Sequence, residues 1–373
     1  MKSMILLERL SAGQRLLETC DCDAFLVSCP ENRRYLSGFS AQEAQLNESC
    51  GYLLFSADTA WLLTDFRYRE WAAQEAPYFE VIVYPEGLAK VLPDLLQRLA
   101  CRRLGFEAPY LSFYQYQKLA EAVAEAGLEV EWQPLDGVLE ELREVKDAEE
   151  LDSLKQALNL TEAGLAAIQA QLHEGQTEQE IAWMIECRLR QSGAEALSFP
   201  TIVASGPNSS RPHHHPGDRP IQAGEPIIID LGARWRGYCA DMTRTFVLGE
   251  PDEKFKEIYS LVRAAQKTAE EGIRAGMMSD EADALARQVI SAPGYGDYFG
   301  HSLGHGVGLA VHERPSLSPV KERATILKTG MVTTVEPGIY LPGWGGVRLE
   351  DMIRIEEDGA AVLNADRNFY RFA

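Results

Sequence analysis

The sequence predicts an α+β protein of two domains, an N-terminal α/β domain over 1–143 and a larger mixed domain over 144–373. Three observations carry that expectation. Short apolar runs alternate with helical patterns up to about Glu140; a pair of capped helices begins at Asp147; and the rest reads as acid-bearing strands interrupted by two more helices. A chain of 373 residues also exceeds the usual size of one domain.

In the first domain the strand candidates are AFLVS ending at Ser28, GYLLF over 51–55, AWLLT over 60–64 and VIVY over 81–84, with helical patterns over 65–76, 88–101 and 111–126. Asn32–Leu36 and Asp65–Tyr68 mix polar and aromatic groups on expected loops. Mutual packing is the favoured reading for both stretches, with ligand contact as the alternative.

The second domain opens on a helix with Asp147 as N-cap and Glu150 three residues later, the pairing of a capping box. Leu151, Leu154, Leu158, Leu165, Ile168 and Leu172 recur at helical steps or their sums and make one apolar stripe for a sheet; Gly175 ends the stretch. Thr177 and Glu180 repeat the capping pattern for a second helix that stops at Gly193. A Pro-, Gly- and Ser-rich loop follows, carrying His213, His214 and His215, of which surface is the default for at least two. Pro251 opens a helix to about Ala275, and Ser279 starts another that ends before Pro293.

Composition narrows the functional classes. Hydrophobic residues at 46% and charged ones at 25% are ordinary for a globular chain, so disorder is not expected. A formal net charge of -20 argues against nucleic-acid binding, which needs a basic footprint. Seven cysteines without CxxC spacing fit free thiols in a reducing compartment. Glu8 and Arg9 interrupt the first apolar residues before a signal-peptide core forms, and no run is long enough to span a membrane. The expected location is the cytoplasm.

The chemistry gathers late in the chain. Ile227-Ile228-Ile229 delivers Asp230 at a strand end, a Gly-containing turn reverses the chain, and Asp241 returns beside it. Neighbouring buried carboxylates need a positive partner. Two readings stay open at this point: a divalent cation between them, or Asp241 paired with Arg244 and Asp230 capping a turn. HSLGHGVGLAVHE (301–313) sets glycines on both sides of His305 and follows it with His312; MVTTVEPGIY places Glu336 at the end of an apolar run; GVRLEDMIRI places Glu350 inside an alternating strand. Alone, the two glutamates fit ion pairs with Arg348 or Arg354. With Asp230 and Asp241 they make an oxygen-rich set plus one imidazole, suited to hard or borderline divalent ions and unlike a structural zinc site. Four acids exceed the need of one catalytic ion, whereas two ions sharing carboxylates use them all.

DLGARWRGYCADMTRTF, HSLGHGVGLAVHE, TTVEPGIY and GVRLED, in that order, resemble the creatinase and methionine aminopeptidase superfamily with the pita-bread fold, specifically its Xaa-Pro peptidases (aminopeptidase P and prolidase). The likeness covers nearly the whole chain, since NRRYLSGF, LLTDFRY and LREVKDAEELDSLKQA look like that family's creatinase-like N-terminal domain and linking helix. The resemblance implies that Asp230, Asp241, His305, Glu336 and Glu350 bind two metal ions, Mn first with Co, Zn or Fe as alternatives. Asp241 and Glu350 would bridge them. It further implies that His312 and His213 contact substrate, that Arg348 hydrogen-bonds the ligand carboxylates, and that the protein is a homodimer acting on proline-containing peptides.

The mechanism so implied is attack by a metal-bridging hydroxide, with Glu336 shuttling a proton to the leaving nitrogen and His312 or His213 bonding the oxyanion. A creatinase-like metal-free hydrolase or a non-catalytic binding module would not need all five ligands. A methionine aminopeptidase would not need the long segment before Asp147. Between the Xaa-Pro activities, some dipeptidases carry HExPR, and here Ser316 stands where that arginine would be, with Arg314 nearby. This departure tilts the expectation toward an Xaa-Pro aminopeptidase, with an Xaa-Pro dipeptidase as the alternative.

Overall fold

A computed structural model describes residues 2–43, 45 and 48–372. The chain divides into two compact units, Met1–Arg143 and Glu144–Ala373. The first runs α1 (Lys2–Thr19), β1 (Ala24–Val27), α2 (Pro30–Ser37), β2 (Tyr52–Phe55), β3 (Ala60–Thr64), α3 (Arg69–Glu75), β4 (Glu80–Val83), α4 (Leu88–Arg98), β5 (Arg103–Glu107), α5 (Phe113–Glu125) and β6 (Glu131–Leu135). Its six strands form one mixed sheet in the order β4-β3-β2-β1-β5-β6. Strand alternation sorts the side chains: Leu26, Leu54 and Leu63 pack with Leu92 and Leu95 of α4 and Val123 of α5, while Phe25 stacks on Phe55 on the opposite face at 5.8 Å.

Three elements escape the sequence reading, and one expectation is corrected. Strands β5 and β6, RLGFE and EWQPL, carry too many charged, glycine and proline residues to read as apolar runs, and α1 has no clean amphipathic stripe. Asn32–Leu36, expected in a loop, lies on α2, which starts at Pro30 and ends on Gly38 at φ 85°. Asn32 and Arg33 are fully buried, and Arg33 bonds Ala41 O, Gly51 O and Glu43. Packing, the favoured reading, accounts for them.

After the short α6 (Glu141–Glu144), the second unit opens on α7 (Ala148–Gln169) and α8 (Glu178–Gln191). Both expected capping boxes are present, at Asp147 with Glu150 and at Thr177 with Glu180. Helix α7 stops at Gln169, short of Gly175. Next come β7 (Ala196–Leu197), β8 (Ile202–Ser205), β9 (Pro226–Leu231), β10 (Ala233–Trp235), β11 (Tyr238–Cys239), β12 (Met242–Val247), α9 (Glu253–Gly272) and α10 (Ser279–Ser291). Helix α9 begins after the Asp252 cap rather than at Pro251, because the Asp252 carboxylate accepts from the Phe255 amide. The chain finishes with β13 (Gly304–Gly306), β14 (Glu313–Leu317), β15 (Val332–Val335), β16 (Gly338–Leu341), β17 (Gly345–Arg348), β18 (Asp351–Ile355) and β19 (Ala360–Val362).

Two helix pairs cover the sheets of this unit. Leu165 and Ile168 of α7 with Ile181, Ile185 and Leu189 of α8 bury Ile227, Ile229, Leu231 and Met242 of the β12-β9-β8 sheet. Phe255, Ile258 and Val262 of α9 with Ala286 and Ile290 of α10 bury Val335, Ile339, Val347 and Ile353. Each large aliphatic group so buried stabilises the fold by roughly 1.5–3 kcal/mol. The two cores fix the strand ends, and those ends carry the acids.

Candidate metal centre

Antiparallel pairing of β9 with β12 sets Thr243 opposite Asp230 and Met242 opposite Leu231, so Asp241 enters beside Asp230. The close return needs Gly232, where a Cβ would collide with the Ala240 carbonyl oxygen. Strand alternation then turns Arg244 away from Asp241: its guanidinium bonds Asp351 at 2.8 Å and Asp366 at 2.9 Å. The Asp241–Arg244 pairing left open by the residues does not form, and Asp230, in β9, bonds Arg348 Nη2 at 2.6 Å rather than capping a turn.

His305 reaches the same place from β13. Its flanking glycines are required by neighbouring backbone, since a Cβ at Gly304 would strike Thr334 O and one at Gly306 would strike Arg314 O. Its Nε2 lies 3.3 Å from Glu336 Oε1 and 3.6 Å from Asp241 Oδ2. Donor atoms of Asp241, His305 and Glu350 all fall within 4.8 Å of one another. Glu336 directly follows β15. Glu350 lies in the bend between β17 and β18 and not inside a strand, a correction; its amide donates to Thr243 O, which fixes the bend.

The electrostatics explain what such a set can hold. Burial, then the carboxylates of Glu350, Asp230 and Glu336, push Asp241 well above the usual range, and burial followed by Glu336 and Asp230 does the same to Glu350. Burial first, with Asp230 adding to it against Arg348, pushes Glu336 up to about 8. Burial and then His312 press His305 down to about 4, so its ring is neutral near pH 7. With Nδ1 bonded to Gly306 O at 3.0 Å, the lone pair sits on Nε2 and faces the acids. Two unit charges at 4 Å repel by about 4 kcal/mol at an effective dielectric of 20. Either protons or cations must fill the space. Asp230 Oδ1 is also buried with no hydrogen-bond partner among the described residues. An orphaned carboxylate oxygen, a lone pair and clustered acids fit divalent ions.

Supporting groups emerge that the sequence reading passed over. Thr243 donates to Glu350 at 2.7 Å, Thr334 to Glu336 at 3.2 Å, and the Arg348 Nε donates to Thr243 Oγ1 at 3.1 Å. Tyr340 OH joins Arg348 Nη1 at 3.0 Å to His301 Nε2 at 2.9 Å. The signal for the threonines is strand alternation: Thr243 and Thr334 each stand two residues from an acid. A cavity of about 430 Å³ opens here, and His213, His312 and Ser316 are on its wall with the acids. The His305 and His312 rings meet edge to face at 4.3 Å. His213 and His215 are exposed, while His214 is tied to Glu178.

A second grouping, Cys29 with Glu107 and Glu140 in the first unit, does not share this character. Glu107 already accepts from the Ser28 and Cys29 amides at 2.5 and 2.6 Å and from Asn32 at 2.6 Å, an N-terminal cap for α2. Burial pushes the Cys29 thiol up, away from the thiolate a metal needs.

A stability experiment follows from the signs. A buried acid with a raised pKa holds a proton in the folded state that the unfolded chain releases, so its contribution is lost as pH rises from about 4.5 toward 8. The depressed histidine acts only below its unfolded value of 6.5, outside the window between pH 6.5 and 8. Chelator-treated protein is therefore expected to lose at least the share of Glu336 alone, about 2 kcal/mol across that window, or roughly 4–8 °C in midpoint. Saturating Mn should remove most of the slope. Calorimetry showing a chelated midpoint that rises with pH would contradict the arrangement.

Comparison with known proteins bears on the family and the fold. Residues 152–357 match metallopeptidase family M24, and residues 9–145 match the creatinase/prolidase N-terminal domain. The Xaa-Pro dipeptidase of Pyrococcus furiosus is 38% identical over 95% of this chain and 97% of its own length. Among solved structures, an Xaa-Pro dipeptidase from Bacillus anthracis superposes with TM-score 0.89 at 37% identity, over 97% of this chain and 98% of that one. An X-Pro aminopeptidase from Thermotoga maritima gives TM-score 0.84 at 36% identity, over 94% and 98%.

Proposed function

The chain belongs to metallopeptidase family M24, with a creatinase-type N-terminal domain before a pita-bread domain, and from that premise we propose that it hydrolyses the peptide bond preceding proline. It is a metal-dependent hydrolase; what is proposed is the substrate, the ions and the residues that serve them. One observation carries the reading above the others. Four acids and the His305 lone pair line one cavity, and His213 and His312 are among the other histidines on its wall.

Asp230, Asp241, His305, Glu336 and Glu350 would hold two divalent ions, Mn first. Such ions supply Lewis acidity for the carbonyl and lower the pKa of water toward neutrality. The rest falls to side chains. Glu336, a carboxylate on the cavity wall, can accept a proton and pass it to the proline nitrogen, which must gain one to leave. His312, pressed below its ordinary value by burial and then by His213, is neutral near pH 7 and offers one N–H to the developing oxyanion. His213 lines the same cavity. Arg348 holds Asp230 by a bond that keeps its other oxygen free.

Relatives named Xaa-Pro dipeptidase favour dipeptides as substrates. Longer peptides are the second reading, supported by the Thermotoga maritima aminopeptidase and by Ser316, small and exposed, at the cavity wall where HExPR would place an arginine. Among the described residues no helix is long and apolar enough to cross a membrane. Mn and a homodimer stay within this proposal by resemblance, and a cytoplasmic location by the unpaired cysteine pattern. Chelated protein should be inactive, and Mn should restore cleavage of Ala-Pro. A rate on Ala-Pro at least about tenfold above that on Ala-Pro-Ala identifies the dipeptidase, the reverse identifies the aminopeptidase, and cleavage of neither rejects both.

A further inference from the structure

Among the buried acids that the mechanism does not use, one is bonded to the histidine loop. Glu178, the first residue of α8, is fully buried yet far from apolar surroundings in its contacts. Oε1 accepts from the Ser205 amide and hydroxyl, both at 2.8 Å, and from Asn208 Nδ2 at 3.0 Å. Oε2 lies 2.7 Å from His214 Nε2 and 3.3 Å from the Gly217 amide. All these partners belong to one stretch of chain, 205–217, and that stretch carries His213. Burial alone would raise the Glu178 carboxyl, but bonds from Asn208, His214 and Ser205 hold it below the usual range.

The loop is held on the other side of His213 as well. Pro212 O accepts from Arg348 Nη1 at 3.3 Å, and Ser209 Oγ accepts from the Gly346 amide at 2.8 Å. His213 therefore sits between a residue fastened to Arg348 and a residue fastened to Glu178, with its own side chain on the cavity wall. The histidine run is one working group and one anchor.

We propose that Glu178, through its bond to His214, is a positioning residue that fixes the His213 imidazole against the scissile region of the substrate. The inference rests on the proposed function for what His213 touches, and on the geometry alone for the clamp. An apolar group in place of this carboxylate alone would orphan the donors it satisfies, so a test at the position has to keep hydrogen-bonding capacity. Here the five donors to the carboxylate all lie in the one stretch 205–217. Misplacing a catalytic contact by about 1 Å can cost roughly a hundredfold in rate.

The test is a double-mutant cycle on Mn-loaded enzyme with Ala-Pro. Glu178→Gln places an amide against donors and should lower kcat/KM by roughly tenfold to a hundredfold, with Mn stoichiometry unchanged. In a His213→Ala background the same change should cost less than about threefold, because the positioned group is gone. His214→Gln, which keeps a donor toward Glu178, should stay within about threefold of the parent, and His214→Phe should not. Amide exchange at Ser205 and Gly217 should rise in Glu178→Gln while α7 stays protected. Equal losses with and without His213, or an unchanged Glu178→Gln rate, would overturn the proposal. If Glu178→Gln does not fold, the His214 pair decides by the same criteria. A parent inactive on every proline peptide would sink the proposed function, while the exchange data would still judge the clamp.

Discussion

Asp241→Ala is expected to lower kcat/KM on Ala-Pro by about a thousandfold or more, which corresponds to roughly 4 kcal/mol of transition-state stabilisation. Asp241 is buried at 5% exposure and its carboxylate lies within reach of both His305 and Glu350, so it belongs to the centre of the proposed donor set rather than its edge. The companion variant Asp241→Asn is expected to do the opposite to stability. In metal-free protein at pH 8 this side chain either stays charged against its neighbours or keeps a proton that the unfolded chain gives up; both cost free energy, and asparagine removes both. The midpoint of chelated Asp241→Asn should therefore exceed that of the chelated parent, and Mn should no longer raise it. Calorimetry and bound-metal analysis measure both. Full peptide hydrolysis by Asp241→Ala with normal Mn content would end the proposal.

That opposition between stability and activity also explains what could be read before any coordinates. The acids stand out in the sequence because they interrupt apolar strand ends, where a charge has no packing reason to be: Asp230 after three isoleucines, Glu336 after VTTV. The α/β alternation of the first unit and the capping boxes at Asp147 and Thr177 are local patterns, and local patterns survive in a one-dimensional reading. What escaped depends on partners distant in sequence. Arg244 looked like a mate for Asp241 three residues away, yet its partners are Asp351 and Asp366, more than a hundred residues on. Glu350 looked like a strand residue because its neighbours alternate, whereas its amide turns out of the ladder to meet Thr243. Glu178 is not singled out by the sequence pattern, in which Thr177 and Glu180 mark the helix start. Nothing local reveals that its bonds lead to the histidine loop.

Arg348→Met is the second large effect expected, and it falls on stability as much as on rate. Arg348 is 3% exposed and every nitrogen of its guanidinium is engaged: Nη2 with Asp230, Nη1 with Tyr340 OH and Pro212 O, Nε with Thr243. Removing it strands the Asp230 charge in a buried site and frees the backbone beside His213. Breaking a buried ion pair from one side costs about 3–5 kcal/mol, or roughly 10 °C in a unit of this size. Arg348→Lys separates the two parts of that cost. An ammonium restores the charge beside Asp230 but has no planar fork with which to hold Asp230, Tyr340 and Thr243 at once. The lysine variant should therefore recover most of the midpoint while kcat stays depressed by about tenfold or more, since the acids and His213 keep their charge balance but lose their alignment. A lysine variant with parental kcat would mean that charge alone suffices at this position, and the geometric role assigned to the arginine would fall.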